Sequence, residues 1–296
     1  MTTRTPHDLV WGAHALSMGR RTLIMGILNI TPDSFSDGGR FLNRDTAIRH
    51  ARQMVTDGVD ILDIGGESTR PYADEVPEEE EKDRVIPVIE ALAAHVDVPI
   101  SIDTTKAAVA AAAIRAGASI INDISAMDSD PGMVEVAKET GVPVILMHMK
   151  GSPRTMQMAP SYDNVVETVT AYLEHRVAFA ESRGIPRSHI ILDPGIGFGK
   201  SMRHNLALLA HLSRICAIGL PVLVGTSRKS FIRSLLVDAA GEPPSADSPV
   251  VQNGTDASVV ASVMNGAHIV RVHDVKQTAE TLKVADAILE EKASLF

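Results

Sequence analysis

The chain has 296 residues, 45% of them hydrophobic and 22% charged, a globular composition that excludes disorder, collagen and low-complexity fibre. Its 28 Lys and Arg against 37 Asp and Glu leave a net charge of −9, which excludes the footprint of a non-specific nucleic-acid binder and disfavours binding to anionic lipid. The single cysteine, Cys216, excludes an internal disulfide and any multi-cysteine zinc or iron–sulfur centre. No apolar run approaches the roughly 18 residues of a membrane span, and the N-terminus has no apolar signal-peptide core. A soluble, cytoplasmic protein is expected, with residues 1–20 as an N-terminal extension and 21–296 as one domain.

From the N-terminus, a strand is predicted at 23–30 and a helix at 44–57, with Asn43 as N-cap and Gly58 as its stop. A strand at 61–64 precedes a helix at 77–95 that opens on Glu78 to Glu81, where carboxylates complement a helix N-terminus. A strand at 100–102 leads to a helix at 106–116, closed by Gly117. A strand at 120–124 leads to a helix at 131–140, with Pro131 in the first turn and Gly141 after the last. Strands at 144–149, 190–192, 222–224 and 269–272 alternate with helices at 164–183, 204–212, 257–265 and 277–291. The strand runs are continuously apolar, as parallel strands covered on both faces must be. Eight β-then-α units in this length predict an α/β fold, a single-domain TIM (β/α)8 barrel, over a doubly wound sheet. Residues 238–253 read as a long polar insertion, and no repeat is evident.

In a barrel the C-terminal strand ends converge on one mouth. Here they carry Asn29, Asp63, Asp103, Asn122 with Asp123, His148, Asp193, Thr226 through Lys229, and Arg271 with His273. Asp63 and Asp123 are read as loop or cap acceptors, Asp103 and Asp193 as functional. Arg70, Lys150, Arg154, Arg228, Lys229 and Arg271 all follow strands of an acidic chain, which points to an anionic, phosphorylated substrate. Carboxylates in the same mouth suit either a donor-rich edge, such as an aminopyrimidinone ring, or a divalent cation. The glycine-rich segments 65–71 and 192–200 allow close backbone approach, but neither has the spacing of a Walker loop or a dinucleotide fingerprint. His148 and His273 are singletons without a zinc-site pattern.

The segments MGILNITPDSFSDGG, GGESTRP, SIDT, INDISA, LMHMKGSPRTMQ, LDPGIGFGK, GTSRKSF and RVHD stand one per strand end. Together they resemble the dihydropteroate synthase family. The resemblance implies a TIM barrel that condenses 6-hydroxymethyl-7,8-dihydropterin diphosphate with 4-aminobenzoate, giving 7,8-dihydropteroate and diphosphate in folate biosynthesis. It implies a pterin site at Asp103, Asn122, Asp193 and Lys229 with Met147 and Phe198 as apolar walls. It implies a diphosphate site at Asn29, Thr69, Arg271 and His273, with Asn29 also meeting Mg²⁺. It implies a 4-aminobenzoate site at Phe35, Thr69, Arg70, Pro71, Lys229 and Ser230, shared between two mobile loops. Asp103, Lys229, Arg271 and His273 are the implied catalytic set.

The aniline nucleophile is neutral at pH 7, so the expected chemistry is SN1-like loss of diphosphate assisted by electrostatics. A homodimer through late helices and a sulfonamide-binding site are further family expectations. Two departures stand out: Tyr72 and Ala73 replace the family's Gly-Ala, and Val251, Gln252 and Asn253 replace its charged residues before Gly254. Two other readings compete. A pterin-dependent methyltransferase would need neither the first two loop motifs nor RVHD, and a non-catalytic pterin-binding paralogue would have lost loop residues such as Phe35, Thr69 and Arg70.

Overall fold

In a computed structural model of the chain, which describes residues 4–31, 40–68, 74–152, 155–156, 160–238 and 240–294, all eight predicted strands form and run parallel in one sheet. Two further strands precede them: β1 (His7–Trp11) and β2 (His14–Met18) pair antiparallel as a hairpin. Then follow β3 (Leu23–Asn29), α1 (Arg40–Thr56), β4 (Ile61–Gly65), α2 (Glu78–Ala93), β5 (Ile100–Asp103), α3 (Ala107–Arg115), β6 (Ile120–Asp123), α4 (Gly132–Thr140), β7 (Val144–Met147) and α5 (Val165–Ser182). The chain continues through β8 (Ile190–Asp193), α6 (Met202–Ala210), α7 (Leu212–Cys216), β9 (Leu223–Val224), α8 (Ser230–Leu235), α9 (Pro249–Met264), β10 (Ile269–Val272) and α10 (Val275–Ser294).

The sheet order is β8-β7-β6-β5-β4-β3-β10-β9, and a parallel bridge from Leu192 to Val222 joins its two edges. The ring is therefore a (β/α)8 barrel. Its strands are buried on both faces, with Ile61, Leu62, Ile64, Ile102, Ile120, Ile121, Val144, Ile145 and Ile190 through Leu192 excluded from solvent. That explains the absence of alternation in the sequence.

Three local expectations are corrected. Asn43 lies inside α1, which begins at Arg40, and so does not cap it. The polar insertion is shorter than 238–253, because α9 begins at Pro249 and turns Val251 and Thr255 into the core. The first residues do more than extend the chain. Leu9, Trp11, Leu16 and Met18 of the hairpin are buried, and Arg4 beside it is bonded to Thr22 Oγ1 at 2.6 Å and ion-paired with Asp286 at 2.5 Å. Thr22 leads into β3, so the hairpin region is fastened to the N-terminal end of the barrel, opposite the mouth.

Candidate active site

The mouth contains a cavity lined by Asp103, Asn122, Ile124, Met147, Asp193, Gly195, Ile196, Phe198, Gly225, Lys229 and Arg271. Every inferred pterin residue is among them. β5, β6, β7 and β8 deliver Asp103, Asn122, Met147 and Asp193 as their last or next-to-last residues, because parallel register aligns those ends.

Arg271 projects from β10 into this cavity and is held by two carboxylates. Its Nε donates to Asp63 Oδ2 and its Nη2 to Asp103 Oδ2, both at 2.6 Å. Asp63 is fully buried and also accepts from Asn122 Nδ2 at 3.2 Å. It is thus no loop or cap acceptor but the link that fixes both Arg271 and Asn122, a role the sequence reading missed. Asp123 does serve locally, accepting from the backbone N–H of Ser125 and Met127. Burial pushes Asp103 up to about 7, against the pull of Arg271 and with the added repulsion of Asp63. Arg271 is held above its ordinary value by Asp63 and Asp103 in spite of burial, and it stays charged.

Asp193 accepts from Gly195 N at 2.7 Å, and burial lifts it to about 6. The Lys229 ammonium stands 4.1 Å from the Phe198 ring centroid, a cation–π distance. Burial, and after it Arg271, lower Lys229 to about 8 against the opposing pull of Asp193 and Asp103. Ile124, Met147, Met156 and Phe198 form a separate small apolar cluster at the mouth. The cavity therefore joins an apolar wall to two carboxylates, one amide and two cations, with Asp63 buried behind Arg271.

The remaining inferred residues lie apart. Asn29 ends β3, half-buried, in register with Gly65. His273 Nδ1 is 2.9 Å from Ser227 Oγ, and the ring lines a second groove with His50 and Lys276 between α1 and α10. Ser230 is exposed at the start of α8. Phe35, Thr69, Arg70 and Pro71, like Tyr72 and Arg154, lie outside the described residues.

The family described as "Pterin binding enzyme" matches residues 25–273, from β3 to just past β10. The dihydropteroate synthase of Escherichia coli K12 is 50% identical over 269 residues, covering 91% of this chain and 92% of that protein. The chain belongs to the dihydropteroate synthases. Solved dihydropteroate synthases share the whole fold. The Xanthomonas albilineans enzyme with 4-aminobenzoic acid superposes at a TM-score of 0.86 with 43% identity, covering 96% of this chain and 98% of that one. The Yersinia pestis dihydropteroate synthase in a sulfonamide complex reaches 0.85 with 46% identity, covering 98% and 100%. The match spans the barrel rather than one motif, and it sets the methyltransferase alternative aside in favour of the dihydropteroate synthases.

Proposed function

We propose that the mouth cavity binds 6-hydroxymethyl-7,8-dihydropterin diphosphate and joins its methylene to the amine of 4-aminobenzoate. The observation that carries this is the Arg271 guanidinium clamped by Asp63 and Asp103 beside an apolar wall. Asp193 and Asn122 offer acceptors and donors to the aminopyrimidinone edge. Met147 and Phe198 take the planar ring and exclude water. With all groups ionised, Asp63, Asp103 and Asp193 against Arg271 and Lys229 leave one net negative charge, which suits a cationic intermediate.

In the proposed step the bond from the methylene to the diphosphate oxygen breaks, and the electron pair leaves with diphosphate. The resulting pterin methide cation is stabilised by Asp103. The aniline lone pair then forms the new C–N bond and its proton passes to solvent. No covalent enzyme intermediate is involved. Asn29, Thr69 and His273 are proposed for the diphosphate, and Phe35, Thr69, Arg70, Pro71, Lys229 and Ser230 for 4-aminobenzoate.

Among the described residues no group of three or more His, Cys, Asp or Glu converges as a metal site. The one amide oxygen of Asn29 fits Mg²⁺ that arrives with the diphosphate, since Mg²⁺ keeps waters and phosphate oxygens in most of its shell. Bound there, Mg²⁺ would neutralise charge developing on the leaving group. No helix among the described residues is long and apolar enough to cross a membrane. We place the enzyme in the cytoplasm, where a lone cysteine needs no oxidising surroundings, and as a homodimer through α6, α8 and α9.

The deciding experiment is diphosphate release from the pterin substrate with Mg²⁺, with and without 4-aminobenzoate. Release that depends on 4-aminobenzoate, reduced on the order of 10²–10³-fold in Arg271→Ala, is the expected result. Release indifferent to 4-aminobenzoate, or undiminished in Arg271→Ala, would refute the reading.

A further inference from the structure

Lys200 closes the turn after β8 and has no part in the chemistry above. Its residue is 2% exposed and it is absent from the cavity lining. The ammonium nevertheless meets four acceptors: Gly195 O and Phe198 O at 2.9 Å each, His148 O at 3.2 Å and His148 Nδ1 at 2.9 Å. Burial lowers Lys200 to about 7, with Asp193 opposing; in its charged form it offers three N–H donors and no acceptor, so His148 then presents a lone pair at Nδ1. Burial, with Lys200 alongside, lowers His148 to about 3 and keeps it neutral. Burying an ammonium is costly unless it is fully bonded. Here it satisfies backbone carbonyls of two different loops, one after β7 and one after β8.

Those loops touch at backbone level. A Cβ on Gly195 would sit 1.9 Å from His148 O, and one on Gly199 would sit 2.3 Å from Lys150 O. Tyr162 fastens the same turn from outside, its hydroxyl donating to Gly199 O at 2.8 Å. The inner side of the turn presents Gly195, Ile196 and Phe198 to the cavity. Gly195 N orients Asp193, and the Phe198 ring faces Lys229. Three cavity groups therefore depend on a turn two of whose carbonyls, Gly195 O and Phe198 O, converge on one nitrogen.

We infer that Lys200 is a positioning residue for the pterin ring: it locks the 195–199 turn onto the β7 loop and so sets pterin affinity without touching the ligand. This rests on the pterin site proposed above. A lysine that only supported the fold would lower stability and the fraction of active enzyme while leaving substrate affinities unchanged.

The test uses the full chain with Lys200→Met, which keeps the length and removes the donors. Calorimetry with 6-hydroxymethylpterin is paired with KM measurements for both substrates. The pterin Kd and the KM for the pterin substrate rise on the order of tenfold, while the KM for 4-aminobenzoate at saturating pterin stays within about twofold. An unchanged pterin Kd in soluble Lys200→Met, or an equal rise for both substrates, overturns the inference. If Lys200→Met does not fold, Tyr162→Phe loosens the same turn from its solvent side and raises the pterin Kd by about threefold. An unchanged Kd there is equally fatal. Wild-type enzyme that binds pterin without 4-aminobenzoate-dependent turnover refutes the synthase reading alone, because the calorimetric comparison still stands. Wild-type enzyme that binds no pterin refutes both.

Discussion

Arg271 gains its fixed position by sharing its charge between Asp63 and Asp103, and the same crowding makes the cavity responsive to pH. Burial raises Asp193 to about 6 and Asp103 to about 7, so both gain their negative charge only as pH climbs through that range. Burial lowers Lys229 to about 8, so its positive charge is lost above that value. The kcat/KM for the pterin substrate is therefore a bell, rising from pH 6 to 7 and falling beyond 8. Lys229→Gln lowers the rate and removes the alkaline limb. A flat wild-type profile, or a limb that survives in Lys229→Gln, would contradict this assignment. Stability runs the other way. A carboxyl whose folded pKa exceeds its unfolded value contributes stability at low pH, and that contribution is lost as pH rises through the folded pKa. Asp103 and Asp193 thus withdraw stability progressively from the ordinary carboxyl value of 3.8 up to the range in which they switch activity on. Urea midpoints measured between pH 4 and 7.5 on wild type and Asp193→Asn would show the smaller decline in the variant.

At the level of elements, two substitutions separate cap chemistry from loop contact. Asn164 caps α5, its side chain accepting from Val166 N at 3.1 Å and Glu167 N at 3.3 Å. Asn164→Ala leaves those donors to solvent and costs about 1 kcal/mol. Gly195, at φ +66°, lies where any Cβ collides with His148 O, so Gly195→Ala must both adopt a disfavoured backbone and push two loops apart, for about 2–4 kcal/mol. Equal urea midpoints for the two variants would refute the contrast. The sequence marks Asn164 only as the first residue of a helix, of which it proves to be the cap, while Pro131 and Gly141 at the ends of α4 were legible in the sequence, because such signals are local. The strands were legible for the same reason, each being a continuous apolar run. The hairpin was not, since β1 and β2 have five residues each and bury only alternate ones. The start of α9 was missed because its first two turns bury only Val251 and Thr255, four residues apart among polar neighbours. In the cavity, Asp103, Asn122, Asp193 and Arg271 could be placed from their positions at strand ends. The pairing of Asp63 with Arg271 spans 208 residues of sequence, and the acceptors of Lys200 are mostly backbone carbonyls. Neither leaves a sequence pattern, since both exist only once the barrel has closed.

Over the whole molecule, the barrel divides stability from chemistry: the Arg4–Asp286 pair and the hairpin fasten the N-terminal end, and the polar cavity occupies the other. Neither end accounts for the apolar side chains left on the outside of the later helices. Met202 and Leu206 on α6 are each 38% exposed, Leu235 at the end of α8 is 50% exposed, Val237 just after it 47%, and Val250 on α9 44%. α6, α8 and α9 pack against one another, so these residues are carried by three neighbouring helices. Scattered apolar residues are normal on a surface, but several gathered on adjoining elements mark an interface. The proposed homodimer would bury them and would have twice the 31.6 kDa chain mass. Leu235→Glu combined with Val237→Glu places two charges on this face and yields a monomer by sedimentation equilibrium. One chain by itself supplies a complete cavity lining, and kcat per chain in that monomer is expected to stay within about twofold of wild type. Wild type that sediments as a monomer, or a double variant that remains dimeric, rules out this interface. A monomer that has lost turnover would instead show that the second barrel contributes to the first.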